Sequence, residues 1–319
     1  MRYAKLTLSA LLVVGTAPAR ADLTKEQQAT IDVFIKKADE LINDRMYDVA
    51  AGKHYKVKTD DPRFVPAKAT ELLDGFRAFF DGFWAGKVEM RPYEQVGRFY
   101  LFYSRAKYKK LFNETHQDEQ EWSIGHYREF FDIVAAHTDS VGPENLPDIL
   151  IHEAAHQLVQ QRLFGSGSRP WPWLAEGLAS YFGYMERGAD GTYKPERIGG
   201  KGIYLFKKGS PVGRGLGRGD LGPYAASLRK GEARRIAEMI QMEEQEAFYA
   251  EGREDRYAAS WMLVHFLLHG DNGARAAGFM RFLAREATGD TVPDDLYQEI
   301  GMTADQLQAA FEAYVRKKG

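Results

Sequence analysis

Between Thr24 and Asp48 apolar residues recur at three- and four-residue intervals, at Ile31, Phe34, Ile35, Ala38, Leu41 and Ile42, which predicts an amphipathic helix. Thr24 is placed to cap it, with Gln27 three positions on as the reciprocal partner. The period then changes. His54 to Lys58 alternates as a strand does, and Ala67 to Phe83 returns to helical spacing through Leu72, Leu73, Phe76, Phe79 and Phe80. Val96 to Tyr103, rich in aromatic residues, reads as a second strand. Trp122 to Tyr127 and Phe130 to Ala136 predict two more, paired as a hairpin.

Asn145-Leu146-Pro147-Asp148 combines a polar cap candidate with a proline in the first turn, so a helix is expected from there to Phe164, where Gly165 stops it. A loop, Gly165 to Pro172, leads to a second helix from about Trp173 to Met185. Beyond a glycine-heavy stretch, Gly199 to Gly222, the pattern is helical throughout, over Glu232 to Met242, Asp255 to His269, Gly273 to Arg285 and Thr303 to Lys317. No internal repeat is evident. The expected fold class is α+β: a small mixed sheet with helices over residues 22–198, a Gly-rich loop over 199–222, and a mainly helical part over 223–319 that can form one continuous unit with the first.

Composition narrows what such a chain does. Arg2 and Lys5 precede an uncharged run from Leu6 to Val14, followed by small residues up to Ala21. That is the layout of a signal peptide over residues 1–21 and predicts export, to a bacterial periplasm or beyond the cell. The run is too short to span a bilayer, and nothing later reaches the ~20 apolar residues a membrane helix needs. Removing residues 1–21 takes away three cations and no anion, moving the formal charge from −2 to −5. A mildly acidic protein gives no reason to expect nucleic acid as a partner, because phosphate binding needs a concentrated basic face. Cysteine is absent, which excludes disulfides, thiolate metal sites and a cysteine nucleophile. Any metal must be held by histidine and carboxylate.

Such a set is present. His152-Glu153-Ala154-Ala155-His156 lies within the helix expected from Asn145, and residues four apart on a helix share one face, so both imidazoles can reach a single zinc ion. Glu153, about a quarter turn away, comes beside the metal without ligating it, where it can act as general base. A zinc that keeps an open position usually has three protein ligands. Trp173-Leu174-Ala175-Glu176-Gly177-Leu178-Ala179 offers Glu176 on the next helix, within reach if the two helices pair antiparallel.

These two stretches resemble the gluzincins, the zinc peptidases that combine HExxH with a downstream Glu. The likeness covers about Asp148 to Met185 and is nearest to bacterial exported peptidase-like domains of that clan. It implies a zincin-like metallopeptidase fold, with His152, His156 and Glu176 as ligands of one catalytic Zn2+, Glu153 as base, and a peptide or protein as substrate. Two positions depart from the clan's better-known branches. Ser180 stands where thermolysin-like members carry an acidic residue that supports a ligand histidine, and Ala175 stands where an Asn precedes the ligand Glu. The clan commonly supplies an oxyanion donor from a later Tyr or His. Tyr257 is the candidate for that role and His265 the second choice.

Two other features have plainer readings. His265 and His269 are also four apart, but Phe266, Leu267 and Leu268 separate them with no carboxylate, so they are expected to be packed residues with polar neighbours. The glycine run has no strand before it and no Gly-Lys-Ser or Gly-Lys-Thr after it. It is therefore no phosphate loop, and reads as a flap or a solvated linker. A competing function is a zinc-binding envelope protein that binds peptides or a protein partner without turnover, with Trp171, Trp173 and Tyr181 as candidates to line its cleft, against the plainer reading that aromatic residues at helical spacing are core. Amide hydrolysis in cell-wall peptides would use the same residues as the peptidase.

Overall fold

The computed structural model describes residues 24–43, 48–115, 124–139, 141, 145–165, 168–188, 191–198, 228–231 and 233–318. The expected signal peptide and the glycine run lie outside the described residues, as do Trp122 and Ser123 of one expected strand.

Helix α1 (Lys25–Asn43) starts at the expected capping box: the Thr24 N–H donates to Gln27 Oε1 at 2.8 Å and the Gln27 N–H donates to Thr24 Oγ1 at 3.1 Å. Five strands follow in one sheet: β1 (Asp48–Ala51), β2 (Tyr55–Thr59), β3 (Gly97–Phe102), β4 (Gly125–Arg128) and β5 (Ile133–His137). Their order is β1-β2-β3-β5-β4, with the two outer pairs antiparallel and the inner pairs parallel. Parallel neighbours need a crossover, and α2 (Pro66–Trp84) supplies it between β2 and β3. Between β3 and β5 lies α3 (Arg105–Glu114), which the hydrophobic pattern did not predict. Its N-cap is Ser104, whose Oγ accepts from the Lys107 N–H at 3.2 Å.

Alternation along the strands divides the core in two. Tyr100, Phe102, Ile133 and Ala135 face α1 and α3, where Phe34 stacks on Phe131 with centroids 4.2 Å apart. Val57, Phe99, Leu101, Val134 and Ala136 face the other way, towards α2 and the next two helices. Those are α4 (Leu146–Leu158), which continues as a π-helical turn over Val159–Phe164, and α5 (Pro172–Gly183). Gly165 stops the first with φ 88°, as expected. Asn145 is not the side-chain cap that was expected: its backbone is already helical at φ −96° and ψ −20°, and it makes no capping bond. Instead Asp148, in the first turn, forms a buried ion pair with Arg187, and the same guanidinium donates to the Gly183 carbonyl at 3.0 Å. That one side chain ties the start of α4 to the end of α5.

Arg187 belongs to β6 (Met185–Arg187), which forms an unpredicted hairpin with β7 (Tyr193–Ile198). After it the described residues are helical: α6 (Ile236–Ile240), α7 (Gln245–Tyr249), α8 (Arg253–His269), α9 (Ala276–Glu286), α10 (Asp295–Ile300) and α11 (Ala304–Lys318). Helix α5 is the hinge of the arrangement, packed on α4 on one side and on α8 on the other. Gly177 makes the second contact close, since a Cβ there would sit 2.7 Å from the Ser260 carbonyl oxygen. One apolar core runs from Phe99 through Leu174 to Leu263 and Phe311. The protein is thus α+β, with a small mixed sheet, flanking helices and a mainly helical C-terminal part sharing that core.

Candidate metal centre

Helix α4 presents two adjacent stripes, and each has its own task. Residues 153, 157 and 161 face the β4–β5 hairpin. Glu153 Oε2 accepts from the Tyr127 N–H at 2.7 Å, Gln157 Nε2 donates to Asp132 Oδ1 at 2.8 Å, and Gln161 Nε2 donates to the Tyr127 hydroxyl at 2.9 Å. Asp132 holds left-handed dihedrals at φ 52° and also accepts from the Tyr93 hydroxyl at 2.8 Å, so the turn between the strands is anchored to the helix beside Glu153. Gly125 packs beside it: a Cβ there would press on Ala136 Cβ at 3.1 Å and touch Glu153 Cγ at 3.4 Å. Glu153 is consequently buried and fixed, and burial raises its carboxyl above the ordinary range.

The second stripe is His152 and His156, which face α5. Their Nε2 atoms lie 3.1 Å apart, and each is 3.4 Å from Glu176 Oε2. Glu176 is buried, and this oxygen has no hydrogen-bond donor. Burial alone would raise the Glu176 carboxyl, but the His156 and His152 imidazoles hold it well below the usual carboxylate range. Burial likewise disfavours a charged His156, yet the Glu176 and Glu153 carboxylates raise its pKa. The three side chains concentrate negative charge and unshared electron pairs at one buried point, the environment a cation fits. Among the described residues, His152, His156 and Glu176 form a group of metal-ligating side chains whose ligand atoms all lie within 4.8 Å of one another.

The surroundings include one residue that sequence reasoning missed. The Tyr249 hydroxyl donates to Glu176 Oε1 at 2.5 Å, from the one-turn helix α7. Burial, and then the Glu176 charge, raise its pKa well above the ordinary tyrosine value, so it is a proton donor at neutral pH. No periodic pattern marks Gln245–Tyr249, and nothing in the sequence distinguishes this tyrosine among the 17 present. Tyr257, the residue singled out in the sequence, is its neighbour, with ring centroids 6.2 Å apart. Burial and then the Glu176 carboxylate raise the Tyr257 hydroxyl too. Ser180 lies where expected, with its Oγ 3.4 Å from His152 Nδ1.

Two expectations are corrected. His265 cannot serve as the second-choice oxyanion donor, because its Nδ1 is 2.7 Å from the Tyr314 hydroxyl and its Nε2 donates to the Glu196 carbonyl at 3.2 Å. Trp173 and Tyr181 do not line a cleft. Both are fully buried, Trp173 stacked near Phe282 and Tyr181 hydrogen-bonded to His269 at 2.8 Å. Trp171 is half-buried, its indole N–H on Thr291 Oγ1 at 3.3 Å. Among the described residues no helix is long and apolar enough to cross a membrane. No protein-family model and no curated protein matches the chain.

Proposed function

We propose that this protein is a zinc-dependent peptidase of the gluzincin kind, with a zincin-like fold, His152, His156 and Glu176 as ligands and Glu153 as general base. The observation that carries the reading is the size of the ligand triangle. A tetrahedral zinc with bonds of about 2.1 Å holds its ligand atoms about 3.4 Å apart. The three separations here are 3.1, 3.4 and 3.4 Å. Two imidazoles and one carboxylate are also the donor set of a zinc site that keeps an open position. When bound, zinc supplies Lewis-acid polarisation of a carbonyl and acidifies water.

The chain's own residues supply the rest. Glu153, held by the Tyr127 N–H through one oxygen, is buried, and burial raises its proton affinity above that of an ordinary carboxylate. It takes the proton from the attacking water and returns it to the leaving amine. Tyr257, whose ring lies 6.2 Å from that of Tyr249, is the hydroxyl we assign to the negative charge that develops on the substrate oxygen. The basic, apolar and small-residue layout of residues 1–21 supports export, which makes an envelope or extracellular peptide the expected substrate.

Replacing Glu153 by Gln keeps the shape of the side chain and removes its basicity. Cleavage of a peptide library is expected to fall by roughly 10²- to 10⁴-fold while zinc content stays unchanged. Full activity in this variant would overturn the assignment of the base. Stoichiometric zinc with no cleavage by the unaltered protein would favour a peptide-binding envelope protein instead.

A further inference from the structure

We infer that Tyr249 is a positioning residue that locks Glu176 as a one-oxygen ligand. The inference rests on the metal-site reading above and goes beyond it by assigning the residue that sets the coordination number. The two oxygens of Glu176 have different surroundings. Oε2 faces both imidazoles and has no hydrogen-bond donor, whereas Oε1 accepts from the Tyr249 hydroxyl at 2.5 Å. A hydrogen bond to a charged acceptor is among the stronger ones available inside a protein. Turning Glu176 so that both oxygens reached the ion would break that bond in a buried place, where the loss is not made good by water.

The tyrosine is itself held by a device on its backbone. Arg256, at the start of α8, is buried, and its guanidinium donates to the carbonyls on both sides of Tyr249: to Phe248 at 2.5 Å, to Ala250 at 2.6 Å and to Glu251 at 3.0 Å. Phe248, next to the tyrosine, is fully buried in the core. A helix of one turn would not hold a side chain to a fixed place by its own stability. The Arg256 fork and the Phe248 anchor supply the rigidity, so that Tyr249 meets Glu176 from a backbone that is already set. The order of support runs from Arg256 through the main chain to Tyr249, and from its hydroxyl to Glu176 Oε1.

The consequence is chemical. A carboxylate bound through one oxygen leaves a four-coordinate ion with one position for water or substrate, while a carboxylate bound through both uses that position or forces a fifth. Larger oxygen-seeking ions such as manganese and calcium favour more ligands. Holding Oε1 away from the metal therefore favours zinc over them and keeps the reactive position open.

The test is metal binding by Tyr249→Phe in the full chain. Zinc affinity, measured by titration against a competing chelator, is expected to fall about 10- to 100-fold, the range usual for loss of a group that orients a ligand. Preference for zinc over manganese should narrow. The strong visible bands that four-coordinate cobalt gives in the unaltered protein should weaken as Glu176 becomes free to bind through both oxygens. Unchanged zinc affinity and an unchanged cobalt spectrum in a variant that keeps its circular dichroism would overturn the inference. Because that variant can fail to fold, zinc X-ray absorption on the unaltered protein gives a second test. A carboxylate seen bound through one oxygen supports the inference, and one bound through two refutes it. Absence of zinc binding by the unaltered protein would instead refute the metal-site reading itself.

Discussion

The fold contains two pairs of histidines four residues apart on helices, and their rings are spaced alike. The rings of His152 and His156 have centroids 4.7 Å apart, and those of His265 and His269 are 4.8 Å apart. Their chemistry nevertheless differs completely. In the first pair both Nε2 atoms point at each other and at a buried carboxylate oxygen that has no donor. In the second each ring is already partnered, His265 by Tyr314 and the Glu196 carbonyl, His269 by Tyr181. Helix α5 serves both pairs from consecutive positions, Ser180 on His152 and Tyr181 on His269. Spacing thus brings two imidazoles together, but whether they can hold an ion is decided by what completes them. A convergent carboxylate leaves a cation's place, and a hydroxyl fills it.

The largest effect expected from this contrast is on metal content. On the proposed zinc site, His156→Gln should leave the protein with no zinc after dialysis, whereas His269→Gln should retain it in full, both measured by elemental analysis. Zinc lost equally from both variants would mean that the second pair also takes part, or that general destabilisation is being read as loss of a ligand.

A second prediction uses acid. Burial, then the neighbouring His269 and Lys318, lower His265 from 6.5 to about 3, and the ring is held neutral: its Nε2 donates to a carbonyl, which leaves Nδ1 to accept from the Tyr314 hydroxyl. Since the folded pKa lies below the unfolded one, the unfolded chain takes up the proton first. The stabilising contribution is complete above 6.5 and is lost as pH falls towards 3. Between about pH 7 and pH 5 this one group should cost about 2 kcal/mol of stability. Urea unfolding at the two pH values should show a smaller loss for His265→Gln than for the unaltered protein. His126, also lowered to about 3, contributes to both proteins and cancels in the difference. An equal acid loss in both would show that His265 protonates in the folded state.

The site was more legible in the sequence than the fold around it, for physical reasons that can be traced to particular residues. Helical spacing alone places His152, Glu153 and His156 on neighbouring stripes, and a short loop suffices to return Glu176 to them. The capping box at Thr24 and the stop at Gly165 are local in the same sense, each set by a few adjacent residues. What was not legible depends on distant partners. Helix α3 has only Tyr108, Leu111 and Phe112 as its buried stripe, amid five charged residues, and it is stable because that stripe meets α1 and the sheet. Tyr249 gains its role from Arg256, Phe248 and Glu176, which lie on three different helices. Strands β1, β6 and β7 are short or polar, and their pairing supplies what their composition does not.

The smallest expected effect concerns Ser180. Its Oγ lies 3.4 Å from His152 Nδ1, at the long end for a hydrogen bond, and a neutral hydroxyl polarises an imidazole less than a carboxylate would. Tyr249, by contrast, approaches Glu176 at 2.5 Å and meets a charge. If support for the site comes chiefly from the carboxylate side, Ser180→Ala should lower zinc affinity by less than about 10-fold, below the range set for Tyr249→Phe. Chelator competition on the two variants side by side ranks them directly. A larger loss from Ser180→Ala would reverse the order, and would place the main support on His152.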